Sequence, residues 1–298
     1  MRLRTSTERA APWLFCFHHA GAGVSSFARW QQVLGDAAEV VPVLLPGRGP
    51  RSREPRITDA AALMTELREL VKPLLDRPYL LYGHSLGGLV AHALTRVLDE
   101  DGLHPPARVV VGAVPPPHLR NLLLRSASLP DRDLLRLLVD LGAAPAEAAG
   151  RDSSLWQRRV IPALRDDLRL GESLCKAGAG ARLNTPLIAL AGRNDPIAPL
   201  PDMAEWADYS DAEFRLQTLP GGHFFVREQG VPRLLRRVAM ELRVSRTTAS
   251  GRRSKASRVR IKRARRDSWQ QPTDQRGDAA VLLSPGANPR DLETEAAR

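Results

Sequence analysis

Residues 79–98 read YLLYGHSLGGLVAHALTRVL, which is a short apolar run, a serine between glycines and a stretch with helical periodicity. The pattern predicts a buried strand over Tyr79–Tyr82 and a helix from Leu89 to Leu98. Between them, Gly83-His84-Ser85-Leu86-Gly87 matches G-x-S-x-G, the strained strand-to-helix turn called a nucleophile elbow, which holds a serine hydroxyl clear of the sheet. The flanking glycines suit a turn that has no room for a Cβ atom. Ser85 is therefore the candidate nucleophile, and a structural glycine-rich turn is the alternative.

Apolar runs and helix-period stretches alternate from residue 12 to about residue 242. The predicted strands are Pro12–Phe17, Val40–Leu45, Tyr79–Tyr82, Arg108–Val114, Leu187–Ala191 and Phe214–Leu219. Ser25 or Ser26 is the predicted N-cap of a helix that reaches Leu34, and Pro232–Leu242 is predicted as a closing helix. The alternation favours right-handed crossovers and an α/β fold, in which a mostly parallel sheet carries helices on both faces.

The interval between the fourth and fifth predicted strands is far longer than one crossover needs. Residues 115–185 read as helices rather than strands, and Leu134, Leu138 and Leu141 are among the leucines that recur there at helical spacing. We predict a helical lid over the carboxyl ends of the strands, where open α/β sheets bind their ligands. An inserted helical layer with no role in the site is the alternative.

A nucleophilic serine needs a general base, and the base needs an acid that orients it. In folds with a nucleophile elbow these follow in the chain order Ser, Asp or Glu, then His. Asp195 lies in the loop after the fifth predicted strand, and His223 follows the sixth strand and two glycines. Both would reach the same rim of the sheet, so they are the candidate acid and base. A turn aspartate and an ordinary loop histidine are the alternatives, and the rival acids are Asp202, Asp208 and Asp211.

The negative charge that develops on the substrate oxygen needs backbone N–H donors. The residue after the nucleophile usually supplies one donor and an early loop the other. Here Leu86 is the first candidate and Ala20, in the loop after the first strand, is the second. The pair His18-His19 invites a metal-site interpretation, but no further ligand stands at metal-binding spacing, so no metal is predicted. The remaining histidines are expected to be structural.

Positive charge is concentrated at the carboxyl end of the chain. The net charge is +11, and residues 246–298 hold 13 Lys and Arg against 6 Asp and Glu. The tail is polar and has too little apolar surface to form a core, so 246–298 is predicted to be disordered and 1–245 to be the folded domain. Because Trp269 is the only aromatic residue in the tail, ordered stacking on bases is not expected, and nucleic acid is an improbable partner.

Composition excludes several other classes of protein. The chain has 298 residues, of which 43% are hydrophobic, enough to bury a large core. No apolar run approaches the roughly 18 residues of a membrane span. Cys16 and Cys175 cannot build a disulfide framework. The apolar run near the N-terminus is short and contains Pro12, so a signal peptide is not favoured and a cytoplasmic location is expected.

Several blocks of the chain together resemble one known family. They are Phe17–Ala22, Leu45–Arg48, Gly83–Gly88, Leu129–Asp131, Ile161–Asp167, Gly192–Pro196 and Gly221–Phe225. Spread over about residues 12–242, they resemble the external, or type II, thioesterases that accompany nonribosomal peptide and polyketide synthases, although His18 stands where proline is usual. The resemblance implies an α/β-hydrolase fold, a triad of Ser85, Asp195 and His223, and a lid that shapes an acyl pocket.

The predicted reaction is hydrolysis of a thioester that joins an acyl or aminoacyl group to the phosphopantetheine arm of a carrier protein. The resemblance makes this an editing step in antibiotic or secondary-metabolite biosynthesis, with the acyl or peptidyl carrier domains of a synthase as partners. No metal or redox cofactor is required. An esterase or lipase that acts on free small-molecule esters is the alternative.

Charge placement suggests where a carrier would dock. Carrier proteins of such synthases are expected to be acidic near the serine that bears the arm, and the lid region offers Arg120, Arg125, Arg132 and Arg136. Exposed charges of this kind act mainly on association. A solvated helix face without a partner is the alternative interpretation.

Overall fold

A computed structural model describes residues 10–119, 122–142, 158 and 160–244. Within these ranges, six strands pair into one sheet in which every neighbouring pair is parallel. The strands are β1 Trp13–Phe17, β2 Glu39–Val43, β3 Tyr79–His84, β4 Arg108–Gly112, β5 Leu187–Gly192 and β6 Phe214–Leu219. The α/β fold predicted from the alternation is confirmed. The predicted boundary at residue 245 and the tail 246–298 lie outside the described residues and stay predictions.

The order of strands across the sheet determines where a ligand site can form. That order is β2-β1-β3-β4-β5-β6, so the chain runs outward from β1 to β2 and then crosses β1 to add β3 on its other side. The reversal leaves a crevice outside the carboxyl ends of β1 and β3, which is where open α/β sheets bind ligands. The loop that contains Ala20 follows β1, and Ser85 follows β3. The candidate nucleophile and the candidate oxyanion loop therefore meet at this crevice.

Helices cover both faces of the sheet. They are α1 Trp30–Leu34, α2 Ala60–Val71, α3 Leu86–Glu100, α4 Leu122–Arg125, α5 Asp131–Asp140, α6 Ile161–Gly178, α7 Leu200–Ala204 and α8, residues 230–244. Side chains of β1 alternate between two buried clusters: Leu14 and Cys16 pack with α1 and α8, and Phe15 and Phe17 pack with α2 and α3. This two-residue period is the one expected of a strand buried on both faces. Among the described residues, no helix combines the length and the apolar character that crossing a membrane requires.

Three α-helices make up most of the described part of the predicted lid segment. Its helices are α4, α5 and α6, and α6 packs against α3, the helix that follows Ser85. Arg120, one of the four arginines singled out in the sequence, lies outside the described residues.

The first helix begins later than predicted. Neither Ser25 nor Ser26 caps it, because both lie in a 3-10 turn, Val24–Phe27, and α1 starts only at Trp30 with no capping side chain. Phe27, Trp30 and Leu34 are nevertheless all buried. The apolar spacing therefore identified the buried face but not the break in the backbone.

Candidate active site

The elbow has the strained geometry that the glycine pattern predicted. Ser85 has φ +53° and ψ −119°, a backbone conformation in which L residues are uncommon. A Cβ atom on Gly83 would overlap the carbonyl of Gly87, and a Cβ on Gly87 would overlap the carbonyl of Phe17 at the end of β1. The expectation that neither position has room for a side chain is confirmed. The Ser85 backbone N–H donates to the carbonyl of Gly112 at 2.7 Å, which ties the turn to β4.

Three side chains predicted from separate parts of the sequence form one hydrogen-bonded chain. The Nε2 atom of His223 lies 3.2 Å from Oγ of Ser85. On the other side of the ring, Nδ1 of His223 lies 3.1 and 3.0 Å from the two carboxylate oxygens of Asp195. All three residues are buried. With Asp195 accepting at Nδ1–H, the imidazole presents Nε2 to the serine hydroxyl, which is the arrangement a general base requires.

Backbone donors hold the acid in place. Oδ1 of Asp195 accepts from the N–H groups of Ile197 at 2.9 Å and Ala198 at 3.2 Å. The rival acid Asp202 lies in the first turn of α7, and Asp211 is exposed and paired with Arg182. Of the candidate aspartates, Asp195 is the one bonded to His223.

His84, inside the elbow, connects the nucleophile turn to the loop of the candidate base. Its Nε2–H donates to the backbone carbonyl of His223 at 2.8 Å. Its Nδ1 must then be an acceptor, and it receives the hydroxyl of Tyr82 at 3.2 Å. Burial, with His223 and His19 nearby, lowers the pKa of His84 well below its usual value, so the ring stays neutral. The sequence predicts only a structural role for His84 and does not indicate this contact, which links residues 139 positions apart.

In the loop after β1, the backbone N–H of Ala20 is free to act as the expected oxyanion donor. Gly21 donates its N–H to the carboxylate of Asp167, and Ala22 donates to the carbonyl of His19. Within the described ranges, the backbone N–H groups of Ala20 and Leu86 have no hydrogen-bond acceptor in the protein. Ala20 also borders the same cavity as Ser85. The role of both residues as oxyanion donors stays a prediction.

The histidine pair in this loop is neutral, with His18 buried and His19 partly buried. Nδ1 of His18 donates to the carbonyl of His19 at 2.9 Å. Burial lowers the pKa of His18 to about 4, with Arg48 adding to the effect, and it lowers the pKa of His19 to about 3, with His18 and His223 adding to it. In the part of the chain that the structure describes, no three His, Cys, Asp or Glu side chains cluster where they could hold a metal ion.

A cavity of about 660 Å³ opens above the hydrogen-bonded chain. Ser85 and His223 lie in its wall, and lid side chains contribute an apolar lining. The apolar lining residues on the lid side are Leu123, Leu138, Leu141, Val160 and Leu164. The site can thus bring an apolar group to the Ser85 hydroxyl while Nε2 of His223 accepts its proton.

Comparison with known proteins agrees with this geometry. The family model described as "Thioesterase domain" matches residues 12–242. The chain belongs to the thioesterase family. Thioesterase PikA5 of Streptomyces venezuelae is 33% identical over 72% of this thioesterase and 76% of its own length. The predicted family, the hydrolase class and the α/β-hydrolase fold are confirmed.

Solved structures give the same result. RedJ, a thioesterase of the prodiginine pathway of Streptomyces coelicolor, superimposes with a TM-score of 0.69 at 33% identity, covering 81% of this chain and 91% of its own. BorB, a type II thioesterase from the borrelidin biosynthetic cluster, gives a TM-score of 0.65 at 26% identity, covering 78% and 94%. This thioesterase therefore resembles both solved thioesterases over more than nine tenths of their length.

Proposed function

We propose that this thioesterase hydrolyses acyl or aminoacyl thioesters carried on the phosphopantetheine arm of a synthase carrier domain, with Ser85, His223 and Asp195 as its triad. The observation that carries the proposal is the hydrogen-bonded chain from Asp195 through His223 to Ser85, placed at the wall of an apolar cavity. The chain is similar to thioesterase PikA5 and to RedJ, a thioesterase from the prodiginine biosynthetic pathway. This similarity supports the proposed class of substrate.

The steps follow from the positions of the donors and acceptors. Oγ of Ser85 attacks the thioester carbonyl as Nε2 of His223 takes its proton, and the N–H groups of Leu86 and Ala20 bind the oxyanion. His223 returns the proton to the leaving thiol, which departs as the free arm. A water molecule, deprotonated by His223, then releases the acid and regenerates the Ser85 hydroxyl. Asp195 stabilises the imidazolium in both halves of the reaction. No metal or redox cofactor takes part.

The lining of the cavity supports an apolar acyl group. Leucines of α4, α5 and α6 face the cavity together with Ile197, which follows the acid. Each buried CH₂ group contributes about 0.8 kcal/mol to binding. We expect the acyl chain to lie beneath the lid and the arm to enter from the side where polar residues such as Arg29 and Arg227 border the cavity.

The same proposal names the partner and the compartment. The carrier domain docks beside the lid, where Arg125, Arg132 and Arg136 are exposed on α4 and α5. A cytoplasmic location is consistent with Cys16 and Cys175, both free thiols in the structure, because disulfides are rare in reducing compartments. A hydrolase of free small-molecule esters is the competing function, and it would need no carrier.

The decisive experiment compares wild type with Ser85→Ala on a panel of carrier-bound acyl groups and on the matching free thioesters. We expect hydrolysis of the carrier-bound substrates by wild type, and a loss on the order of 10⁶-fold in Ser85→Ala if the triad acts as a unit. Acyl transfer to another residue of the variant would remove Ser85 from the mechanism. Equal kcat/KM values for free and carrier-bound substrates would favour the esterase.

A further inference from the structure

One buried ion pair joins the lid to the segment after β2 and lies beside the loop that contains Ala20. Arg48, which follows β2, faces Asp167 of α6: Nη1 lies 2.9 Å from Oδ2, and Nη2 bonds Oδ1. The Asp167 side chain is 2% exposed and that of Arg48 10%. The two-pronged geometry is the one in which a guanidinium holds a carboxylate most rigidly.

Each partner of the pair also holds the backbone of the loop. Oδ2 of Asp167 accepts from the Gly21 N–H at 2.6 Å. Nη1 of Arg48 donates to the Ala22 carbonyl at 3.1 Å. The Gly21 N–H belongs to the peptide unit directly after Ala20, so these bonds restrict rotation of the backbone at Ala20. Gly21 has φ +74°, a left-handed conformation that glycine adopts without a steric penalty.

We propose that Arg48 and Asp167 are positioning residues that aim the Ala20 N–H at the thioester oxyanion. This inference rests on the proposed function, since it takes Ser85 as nucleophile and Ala20 as oxyanion donor. An oxyanion donor acts only if it is held within about 0.5 Å of the productive position. Losing one such donor costs roughly 10²–10³-fold in kcat.

Charge balance explains why both partners are needed. A lone carboxylate beside the loop would place a negative charge close to the oxyanion and raise the energy of the transition state. Arg48 neutralises it, so the carboxylate fixes the loop without opposing the reaction. A buried ion pair is by itself weak support for stability. Here the contacts of the pair with Gly21 and Ala22 give it a role in holding the loop, which is separate from any effect on stability.

The test uses two neighbouring aspartates of α6. Asp167→Asn offers one carboxamide oxygen in place of two carboxylate oxygens, so it cannot accept from both Arg48 nitrogens and from Gly21. Asp166→Asn is the matched control, because Asp166 pairs with Arg56 at 3.5 Å and Arg169 at 3.0 Å and has no bond to the loop. We expect kcat to fall about 10- to 100-fold in Asp167→Asn with KM within about twofold of wild type, and neither to change in Asp166→Asn.

A second measurement separates positioning from stability. A boronic acid that forms a tetrahedral adduct with Ser85 should bind Asp167→Asn more weakly, by about the factor lost in kcat. If Asp167→Asn does not fold, Arg48→Lys replaces it, since lysine keeps the charge but not the fork. If Asp167→Asn kept both the wild-type kcat and the wild-type affinity for the boronic acid, per folded molecule, the inference would be overturned. An active Ser85→Ala enzyme would instead overturn the proposed function, so the two failures are distinguishable.

Discussion

The three triad candidates show what single residues reveal in a sequence. Ser85, Asp195 and His223 each follow a strand directly, and strands that run parallel end at one edge of a sheet. That local context sufficed to predict their meeting. His84, Arg48 and Asp167 escaped prediction because no motif or periodicity indicates their hydrogen bonds, which join residues 139 and 119 positions apart.

The acid can be tested by an isosteric change. Asp195→Asn should preserve the fold, since the amide oxygen can still accept from Ile197, but should lower kcat by roughly 10⁴-fold because the imidazole loses its orienting charge. Steady-state kinetics on a carrier-bound substrate measures this. If Asp202→Asn were the damaging change and Asp195→Asn nearly silent, the assignment of the acid would be wrong.

His84 gives a second prediction at this scale. His84→Phe removes the donor to the His223 carbonyl and should lower kcat by roughly 10- to 100-fold, because a base displaced by even 1 Å transfers protons poorly. His84→Gln keeps an N–H donor and should retain more activity. His92→Gln, which changes a buried histidine bonded to the Ala181 carbonyl away from the triad, is the control. Equal activity in all three variants would contradict a positioning role.

At the scale of elements, the sequence predicted which segments form strands, but it predicted the ends of the helices only in part. Each predicted strand exists. The inner strands β1, β3, β4 and β5 are the apolar runs expected of strands buried on both faces, whereas β2 and β6, at the two edges of the sheet, are partly exposed. The helix after the elbow starts at Leu86 rather than at Leu89, since the elbow turns directly into helix. In α2, the spacing of Leu63, Leu67 and Leu70 predicts one apolar face, but Leu70 is 47% exposed, so the buried stripe is narrower than the spacing predicts.

The exposed arginines of α5 give an element-scale prediction. Arg132 and Arg136 lie four residues apart, and Arg136 is 3.7 Å from Asp133, one of three aspartates on the same helix. Changing both arginines to Glu should raise KM for carrier-bound substrate several-fold at low salt, less at high salt, and leave a small free thioester unaffected.

Two outcomes would contradict that prediction. Equal losses on both substrates would mean that the lid was damaged. No loss on either substrate would mean that the exposed face of α5 is only solvated and binds no carrier. The three aspartates on the helix would be consistent with that result.

At the scale of the whole molecule, buried neutral histidines make stability depend on pH. Burial lowers the pKa of His18 and of His92 from 6.5 to about 4, and that of His19 to about 3. Below pH 6.5 the unfolded chain therefore binds protons that the folded chain does not, and the free energy of unfolding falls as pH falls towards 4. Each histidine contributes up to about 1.4 kcal/mol per pH unit.

Urea denaturation between pH 7.5 and pH 5 measures this dependence. We expect the free energy of unfolding to be constant above about pH 7 and to fall below it. His92→Gln should reduce the slope, because glutamine does not titrate. A free energy of unfolding that stays constant down to pH 5 would contradict the assignment.

The lid segment lies in the chain between β4 and β5, two strands that pair directly with each other in the sheet. Loop-closure entropy rises only with the logarithm of length, about 0.6 kcal/mol per doubling, so insertions there cost little. The elbow precedes the insertion, the acid and base follow it, and all remain anchored to strand ends. Evolution can therefore lengthen, shorten or exchange this segment, and so diversify the acids released, while the chemistry is inherited unchanged.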